Sequence, residues 1–397
     1  MSFSVLHFYT LLATLIVPIL LLSALTIAIL RTRRYTPIIP PSEFAPHCAI
    51  ILPCKGAHKD LATNITSFCN LTYPHYTLTL VVESNDDSAV PIIQECISNT
   101  PKAQLVVAGI TTSCGQKNHN LIEAVKHTSD SEILIFADSD IKLSPSWIQD
   151  LIAPLSNESI TVATGFRWLS PGTSHIGSLV HSFQNVVLYS FFSVSSWLMN
   201  VGVWGGSMAI RKKDYEALNI AQEWARTSVD DMSLSQILKK AKAQTSLVYT
   251  AITTTTDTLQ HVSQTVAWYE RQTMYLKAHQ KTEWFLSMLI VGATLCTYAL
   301  GVGGMLLLPF SPQEASILLL PFSVFLLLIM LAATLASLIK PLHFHYRFIL
   351  AAPFSLFITV IAMARTLFTN TITWSGVRYT IAFKNGTVSH VSRGEKL

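Results

Sequence analysis

Charge is the scarcest commodity in this sequence. Only 13% of its 397 residues are Asp, Glu, Lys or Arg, against about 25% in ordinary soluble domains. That shortage excludes a wholly soluble chain. It is also uneven, since none of the four residue types occurs from Met1 to Leu30. Cysteine is sparse too. Cys48, Cys54, Cys69, Cys96, Cys114 and Cys296 show no paired metal-ligand spacing, so a thiolate zinc site is not expected and reduced, structural thiols are. No basic cluster with interleaved aromatics is present, which removes nucleic acid as an expected partner. The net charge of +4 is mild and suits a protein lying against anionic lipid. There is no internal repeat and no low-complexity segment.

The uncharged stretches point to a membrane. Phe8 to Leu30 is long enough to cross a bilayer, which takes about 20 apolar residues. Arg31, Arg33 and Arg34 follow at once, so the positive-inside rule places Arg31 onward in the cytosol. A cleaved signal peptide fits poorly, because the basic residues follow the apolar run instead of preceding it. Three more apolar runs lie near the C-terminus: Trp284 to Phe310, Ala315 to Ile339 and Phe348 to Ala364. The loop Ser311 to Glu314 holds one acid and no base, whereas the next loop is bounded by Lys340 and Arg347. That asymmetry again puts the central region in the cytosol. Four crossings would leave the C-terminal tail outside, yet Arg378, Lys384, Arg393 and Lys396 favour the cytosol. A re-entrant last segment reconciles the two. The expected organisation is an anchor (1–34), a cytosolic catalytic domain (47–257), an interfacial amphipathic helix (258–282), C-terminal transmembrane helices (283–368) and a tail (369–397).

The central region has the pattern of an α/β domain. Cys48 to Pro53, Tyr76 to Val82, Ala103 to Val107 and Ile133 to Phe136 read as buried strands. Between them, Asp60 to Cys69, Ala89 to Asn99 and His119 to Lys126 read as helices. Such alternation predicts a mainly parallel sheet covered on both faces. The fourth strand runs into Asp138-Ser139-Asp140. Side chains at i and i+2 of an extended chain point the same way, and ligands bind at the C-terminal ends of such strands. Asp138 and Asp140 are therefore candidate ligands for Mg²⁺ or Mn²⁺, which take oxygen donors and bridge substrate phosphates. Glu83, Asp86 and Asp87 follow the second strand, and Asp230 and Asp231 precede a helical pattern from Met232 to Lys239.

The order of these motifs resembles membrane-anchored GT-A glycosyltransferases, most closely the ceramide glucosyltransferase family. The landmarks are Pro53-Cys-Lys-Gly56, Leu71-Thr-Tyr-Pro-His-Tyr76, Glu83-Ser-Asn-Asp-Asp87 and Gln116-Lys-Asn-His-Asn-Leu121. Asp138-Ser-Asp140, Gly205-Gly-Ser-Met-Ala-Ile-Arg211 and Val229-Asp-Asp231 complete the series. The resemblance implies transfer of a hexose, glucose foremost, from a UDP-sugar such as UDP-glucose to a lipid hydroxyl, ceramide foremost. It implies a metal at Asp138 and Asp140 and a catalytic base at Asp231, with Asp230 second. It also implies donor contacts from Lys55, Gly56, Glu83, Asp87, Lys117, Asn120, Gly206, Arg271 and Tyr275.

One departure stands out. The family carries (Arg/Gln)-x-x-Arg-Trp after the third acid, where this chain has Arg271-Gln-Thr-Met274-Tyr275. Losing that second arginine removes a bidentate phosphate donor, for which Arg271, Lys277 or Lys117 would compensate. The acceptor is expected from the membrane. Val262, Val266, Tyr269 and Leu276 share one face of a helical run, and the apolar stretch His181 to Val203 is expected as a second lipid-acceptor wall. Rival readings are the same chemistry on diacylglycerol, a hopanoid or a polyprenyl phosphate. A processive polysaccharide synthase is disfavoured by the missing Gln-x-x-Arg-Trp. A non-catalytic relic of the fold is favoured by Met274 and opposed by the intact acidic sites.

Overall fold

The computed structural model describes residues 3–199, 202–340, 345–382 and 386–393. Helix α1 is Phe3–Arg34, followed by strand β1 (Cys48–Pro53), α2 (Leu61–Cys69), β2 (Tyr76–Val82), α3 (Ala89–Ile97), β3 (Ala103–Val107), α4 (Gln116–Val125) and β4 (Ile133–Ala137). Next come α5 (Trp147–Ile152), β5 (Ile160–Pro171), α6 (Ile176–Met199), β6 (Ser207–Arg211), α7 (Lys212–Ala217), α8 (Ile220–Trp224), α9 (Asp230–Ala241) and β7 (Gln244–Asp257). The chain ends with α10 (Val262–His279), α11 (Lys281–Leu307), α12 (Pro312–Ala336), α13 (His345–Thr366), β8 (Thr371–Trp374), β9 (Val377–Ile381) and β10 (Val388–Arg393).

The main sheet has the order β3-β2-β1-β4-β6-β5-β7. Strands β1 to β4 pair in parallel, β6 runs antiparallel to β4 and β5, and β7 is parallel to β5. The central strands are continuous apolar runs because both their faces are covered. Cys48, Ile50 and Leu52 pack on one face with Phe68 and Trp147. Ala49 and Ile51 pack on the other with Leu121, Trp224 and Leu238. The edge strand β3 is only partly buried, as its place requires. The expected strands agree to within one residue. Helix α3 stops two residues short of Asn99, and α4 starts at Gln116, three residues before the expected His119. Helix α9 starts at Asp230, so Asp230 and Asp231 lie in its first turn instead of ahead of it. Acids are favoured there by the unpaired N–H groups and the helix dipole.

Among the described residues four helices are long and apolar enough to cross a membrane: Thr14–Arg34 within α1, α11, α12 and Tyr346–Thr366 within α13. Helices α1, α11 and α12 pack on one another. Helix α6 occupies most of the expected His181–Val203 wall; residues 200–201 lie outside the described part. It is not free to face lipid on all sides, because its polar groups are used inside the protein. Gln184 donates to Ser355 O and Thr359 Oγ1, both at 3.3 Å. Asn185 accepts from Leu169 N at 2.8 Å and donates to Arg167 O at 3.0 Å. Helix α10 is enclosed by α6, α11, α13 and the C-terminal strands. Thr265, Val266, Thr273, Met274 and Tyr275 are buried along it, so it is a packed helix rather than one floating in the interface plane.

The chain is tied down on both sides of helix α13, to β7 before it and to α10 after it. Just before it, Lys340 Nζ donates to Ile252 O (2.6 Å) and Thr254 Oγ1 (3.3 Å) on β7. Just after it, Lys277 Nζ of α10 donates to Thr369 O (3.0 Å) and Asn370 Oδ1 (3.3 Å). The expected tail is a folded antiparallel sheet, order β10-β9-β8. It packs through Ile372, Val377, Tyr379 and Ile381 against Val229, Met274, Tyr275 and Ala278. Lys384 and Lys396 lie outside the described residues. A helix anchored this way is expected to return the chain to the side it left. In sealed vesicles, Ser129→Cys in the catalytic domain and Ser389→Cys on β10 are expected to react with an impermeant maleimide from one side. Gln313→Cys, between α11 and α12, is expected to react from the other. Labelling of Ser389→Cys together with Gln313→Cys would contradict this arrangement.

Candidate functional site

The polar end of the site forms where β1, β2 and β4 stop. Strand β4 ends at Ala137, and Ser139 and Asp140 lie in a turn. The same-side argument for Asp138 and Asp140 needs an extended chain and does not hold there. The two carboxylates line one cavity but engage different cations. Lys117 Nζ lies 2.8 Å from Asp138 Oδ1 and 3.0 Å from Asp230 Oδ2. Arg167 of β5 pairs with Asp140. Lys117 is aimed inward because its neighbour Asn118 is pinned on the other side of α4. Asn118 Nδ2 donates to Thr227 O (3.0 Å) and Trp224 O (3.3 Å).

These pairings set the charge states. Burial alone would raise the Asp138 carboxyl, but Lys117 and Arg167 hold it below the usual range. Burial would lower the Lys117 ammonium, and Asp138 and Asp230 raise it instead. Asp231 differs. Burial and the adjacent Asp230 push its carboxyl up to about 7, against the opposing pull of Lys117 and the N–H groups of Met232 and Gly205. Met232 N donates to Asp231 Oδ1 at 2.6 Å. A cavity carboxyl with that affinity is suited to accept a proton near neutrality.

Gly205 and Gly206 are required by these carboxylates. A Cβ on Gly205 would stand 2.0 Å from Asp230 Oδ2. One on Gly206 would stand 2.5 Å from Asp138 Oδ2 and 2.2 Å from the Trp204 ring. Gly206 therefore acts by letting Asp138 close on the backbone. Asp87 is likewise partly committed. Its Oδ1 accepts from Gly56 N (2.8 Å) and Ala89 N (2.9 Å), which joins the loops after β1 and β2. Glu83 accepts from Lys55 Nζ at 3.0 Å. Lys55, Lys117, Asn120, Asp138, Asp140, Asp230, Asp231, Arg271 and Tyr275 all line the cavity, whereas Gly56, Glu83, Asp87 and Gly206 stand behind it.

Arg271 is the unmatched charge. Its guanidinium lies 5.8 Å from the centre of the Trp374 ring and makes no ion pair among the described residues. Burial, aided by the like charge of Arg167, lowers its proton affinity. A half-buried cation without a carboxylate is costly, and an anionic ligand would relieve that cost. Three residues along, Met274 is 2% exposed and sits in the apolar cluster with Ile372 and Tyr379. It faces the C-terminal sheet, so the cost of losing an arginine there is not a lost phosphate contact. Sequence reasoning passed over Arg167, Trp204, Trp374 and Tyr379, which also line the cavity. The alternation Ile372, Trp374 and Val377, Tyr379, Ile381 about Ser375-Gly376 was the available signal.

The fit to a divalent cation follows from this donor set. No group of three or more His, Cys, Asp or Glu converges among the described residues. Asp138 and Asp140 would supply one or two carboxylates, and phosphate and water the remaining oxygens. That is how Mg²⁺ is held at nucleotide sites. An all-protein cage is absent among the described residues.

The cavity has a volume of about 790 Å³, within the usual range for ligand pockets. Its other end is apolar: Leu188 and Phe192 of α6, Leu286 and Ile290 of α11, Leu356 and Met363 of α13. It thus runs without a break from Asp138 and Asp231 to the apolar helices.

Two pairs of substitutions test the packing. Gly206→Ala should lower the unfolding free energy by about 1–3 kcal/mol through overpacking. Gly292→Ala, with nothing within 4 Å of the new Cβ, should not destabilise. Met274→Leu should cost under about 1.5 kcal/mol, while Met274→Arg strands a buried charge and should cost about 3 kcal/mol or more. Denaturation midpoints check both pairs, and a stable Met274→Arg would refute the assigned packing.

A family model described as glycosyl transferase family 21 matches residues 13–387. Ceramide glucosyltransferase 1 of Caenorhabditis elegans is 26% identical over 172 residues, 39% of this chain and 37% of that protein. Ceramide glucosyltransferase 3 of the same organism is 30% identical over 122 residues, 30% of this chain and 26% of that one. The matches therefore span little more than a third, at most, of the length of these curated relatives. Among solved structures, a mannosyltransferase from Pyrobaculum calidifontis in complex with GDP-Man and Mn²⁺ superposes with a TM-score of 0.52 at 12% identity. That alignment covers 79% of this chain and 98% of the other, and it shows a shared GT-A-like fold. With the model extending from within α1 to the approach to β10, this chain belongs to glycosyl transferase family 21.

Proposed function

We propose that this protein transfers a hexose, glucose foremost, from a UDP-sugar to a hydroxyl of a membrane lipid, ceramide foremost, with inversion at the anomeric carbon. The observation that carries this reading is the single cavity joining Lys117, Asp138, Asp231 and Arg271 to the apolar side chains of α6, α11 and α13. A water-soluble acceptor would have no use for that apolar end. An anionic donor has use for Arg271, which no carboxylate of the described chain neutralises.

The chemistry follows from the charges. The acceptor hydroxyl is a poor nucleophile until its proton is taken. Asp231, ionised above its pKa of about 7, accepts that proton as the oxygen bonds to the anomeric carbon. Asp230 is occupied by Lys117 and supports Asp231 by raising its proton affinity. As the bond to the diphosphate breaks, negative charge grows on its oxygens. Arg271 and Lys117 lie at the end of the cavity where that charge develops. A divalent cation held by Asp138 and Asp140 would add Lewis-acid stabilisation of the leaving diphosphate. Attack opposite the leaving group turns an α-linked donor into a β-linked glycolipid. We place the catalytic domain on the cytosolic face, following Arg31, Arg33 and Arg34.

Purified protein in lipid nanodiscs, supplied with UDP-glucose and ceramide, should form a hexosylceramide detectable by mass spectrometry. Diacylglycerol in place of ceramide separates the acceptors. No lipid product with any UDP-hexose would overturn the reading. Asp231→Asn should lower kcat by about 10²–10⁴-fold while UDP affinity stays within about threefold. The pH dependence has a defined sign. Asp231 works as a base only when deprotonated, so kcat/KM should fall tenfold per pH unit below about 7 and level off above it. In Asp231→Asn that limb should vanish from the residual rate.

A further inference from the structure

The C-terminal sheet reaches to the end of β2 and the start of α4 at once. Arg393, the last described residue of β10, donates through Nη1 to both oxygens of Glu83, at 3.3 and 3.2 Å. Through Nη2 it donates to Gln116 Oε1. Glu83 follows β2 and also holds Lys55. Gln116 begins α4, directly before Lys117, and its Nε2 donates to Asn120 Oδ1 at 2.8 Å. The backbone N–H of Gln116 donates to Tyr379 Oη at 3.2 Å. Strand β10 is also fastened at its start, where Val388 N donates to Arg226 O at 2.8 Å, five residues ahead of Asp231.

Arg393 thus closes a chain of contacts whose outer members, Lys55 and Asn120, line the cavity. The carboxylate of Glu83 faces two cations. The Gln116 amide accepts from Arg393 and from Thr111 N (3.2 Å) through Oε1, and donates to Asn120 Oδ1 and Gly109 O, both at 2.8 Å, through Nε2. Removing the guanidinium leaves Glu83 with Lys55 alone and takes the one charged partner from the Gln116 amide. Both changes would disturb cavity-lining donors and acceptors without touching Asp231, Asp138 or Arg271. The cavity-lining groups so controlled are the Lys55 ammonium and the Gln116 and Asn120 carboxamides. They complement the carbonyls and N–H of a pyrimidine base and the hydroxyls of a ribose.

We propose that Arg393 is a positioning residue for the nucleoside of the donor, and that the C-terminal sheet forms the outer wall of the donor pocket. This rests on reading the polar end of the cavity as a nucleoside-diphosphate site. Arg393 touches neither the reacting carbon nor the acceptor, so its effect belongs to donor binding and not to the chemical step.

Calorimetric titration of the purified full chain with UDP tests the two readings separately. If the wild-type protein binds no UDP, the nucleoside-diphosphate reading itself fails. If it binds, Arg393→Met should weaken UDP about tenfold, as expected for losing charge-assisted hydrogen bonds. The KM for the UDP-sugar should rise in parallel, with kcat at saturating donor and the KM for the lipid acceptor changing less than about threefold. Arg393→Lys should recover part of the loss, since it restores the charge on Glu83 but not the fork to Gln116. Ser389→Ala, on the same strand but bonded only to Thr380 O, should bind like wild type. In the wild-type protein, UDP should also slow amide hydrogen exchange across residues 388–393. UDP affinity of Arg393→Met within twofold of wild type, a fall in kcat without a rise in donor KM, or no exchange protection would each overturn the assignment. The exchange measurement decides the matter should Arg393→Met fail to fold.

Discussion

The site is organised around one ammonium group. Lys117 sits between Asp138 and Asp230, with its own side chain and that of Asp230 largely shielded from water. Removing such a partner from a buried group leaves uncompensated charge, at a cost of about 3–5 kcal/mol. Much of the local architecture follows from making that triad possible. Gly205 and Gly206 have no side chains because Asp230 and Asp138 press against their backbone. Asn118 faces away to hold α4 against residues 224–227. Asp230 lies in the first turn of α9, where the free N–H groups tolerate a carboxylate. Burial and the adjacent Asp230 raise the proton affinity of Asp231 against the pull of Lys117, whereas Lys117 and Arg167 overcome burial and lower that of Asp138. Two acids of one site are thus set to opposite tasks by their neighbours.

The same triad sits at one end of a cavity whose other end is apolar. Asp231 lines the cavity that continues between α6, α11 and α13. Polar groups on α6 are spent on α13, β5 and β7. Its Leu188 and Phe192 line the cavity, so the helix serves as a wall. Helix α13 is apolar and long, yet Lys340 fastens the chain before it to β7 and Lys277 of α10 fastens the chain after it. Length and hydropathy alone would count it as a crossing. Anchoring of both flanks is what a re-entrant helix would require, and those anchors are hydrogen bonds between residues about 90 positions apart.

That contrast marks what was legible in the sequence. The buried strands were, because a strand covered on both faces needs an unbroken apolar run, and such runs alternate here with helical patterns. So were the carboxylates, since acids at the ends of such strands seldom serve the core. Helix starts were less so: α4 begins at Gln116 because a glycine precedes it and residues 227–228 crowd that glycine, a tertiary cause. The Asp138–Asp140 pairing was argued from extended geometry that stops at Ala137. What each acid actually faces depends on Lys117 and Arg167, brought in from other elements. The tail carried a period-two alternation and a Ser-Gly turn, with Ser375 and Gly376 both at positive φ, the pattern of a tight hairpin. Its basic residues drew attention to topology instead and hid that pattern.

Met274 shows why the tail matters to the reading of the site. Judged by the family motif alone, a methionine in place of an arginine suggests a weakened diphosphate clamp. In the fold, that position lies under Ile372 and Tyr379, and Arg271 one turn away is the residue that opens on the cavity. Two side chains three apart on a helix share a face only approximately, and here the C-terminal sheet divides it. One side is sealed into an apolar cluster and the other is left to the ligand. The cation that a polar pocket would want from residue 274 is therefore available from Arg271, held over Trp374 of the same sheet. The substitution and the sheet are consistent with each other: an apolar side chain at 274 packs into the docked sheet, and the docked sheet places Trp374 and Tyr379 on the cavity wall and Arg393 against Glu83 and Gln116. A loss of function would leave the buried carboxylates and the unmatched Arg271 without a reason to persist together. A redistribution of contacts between α10 and the C-terminal sheet accounts for all of them.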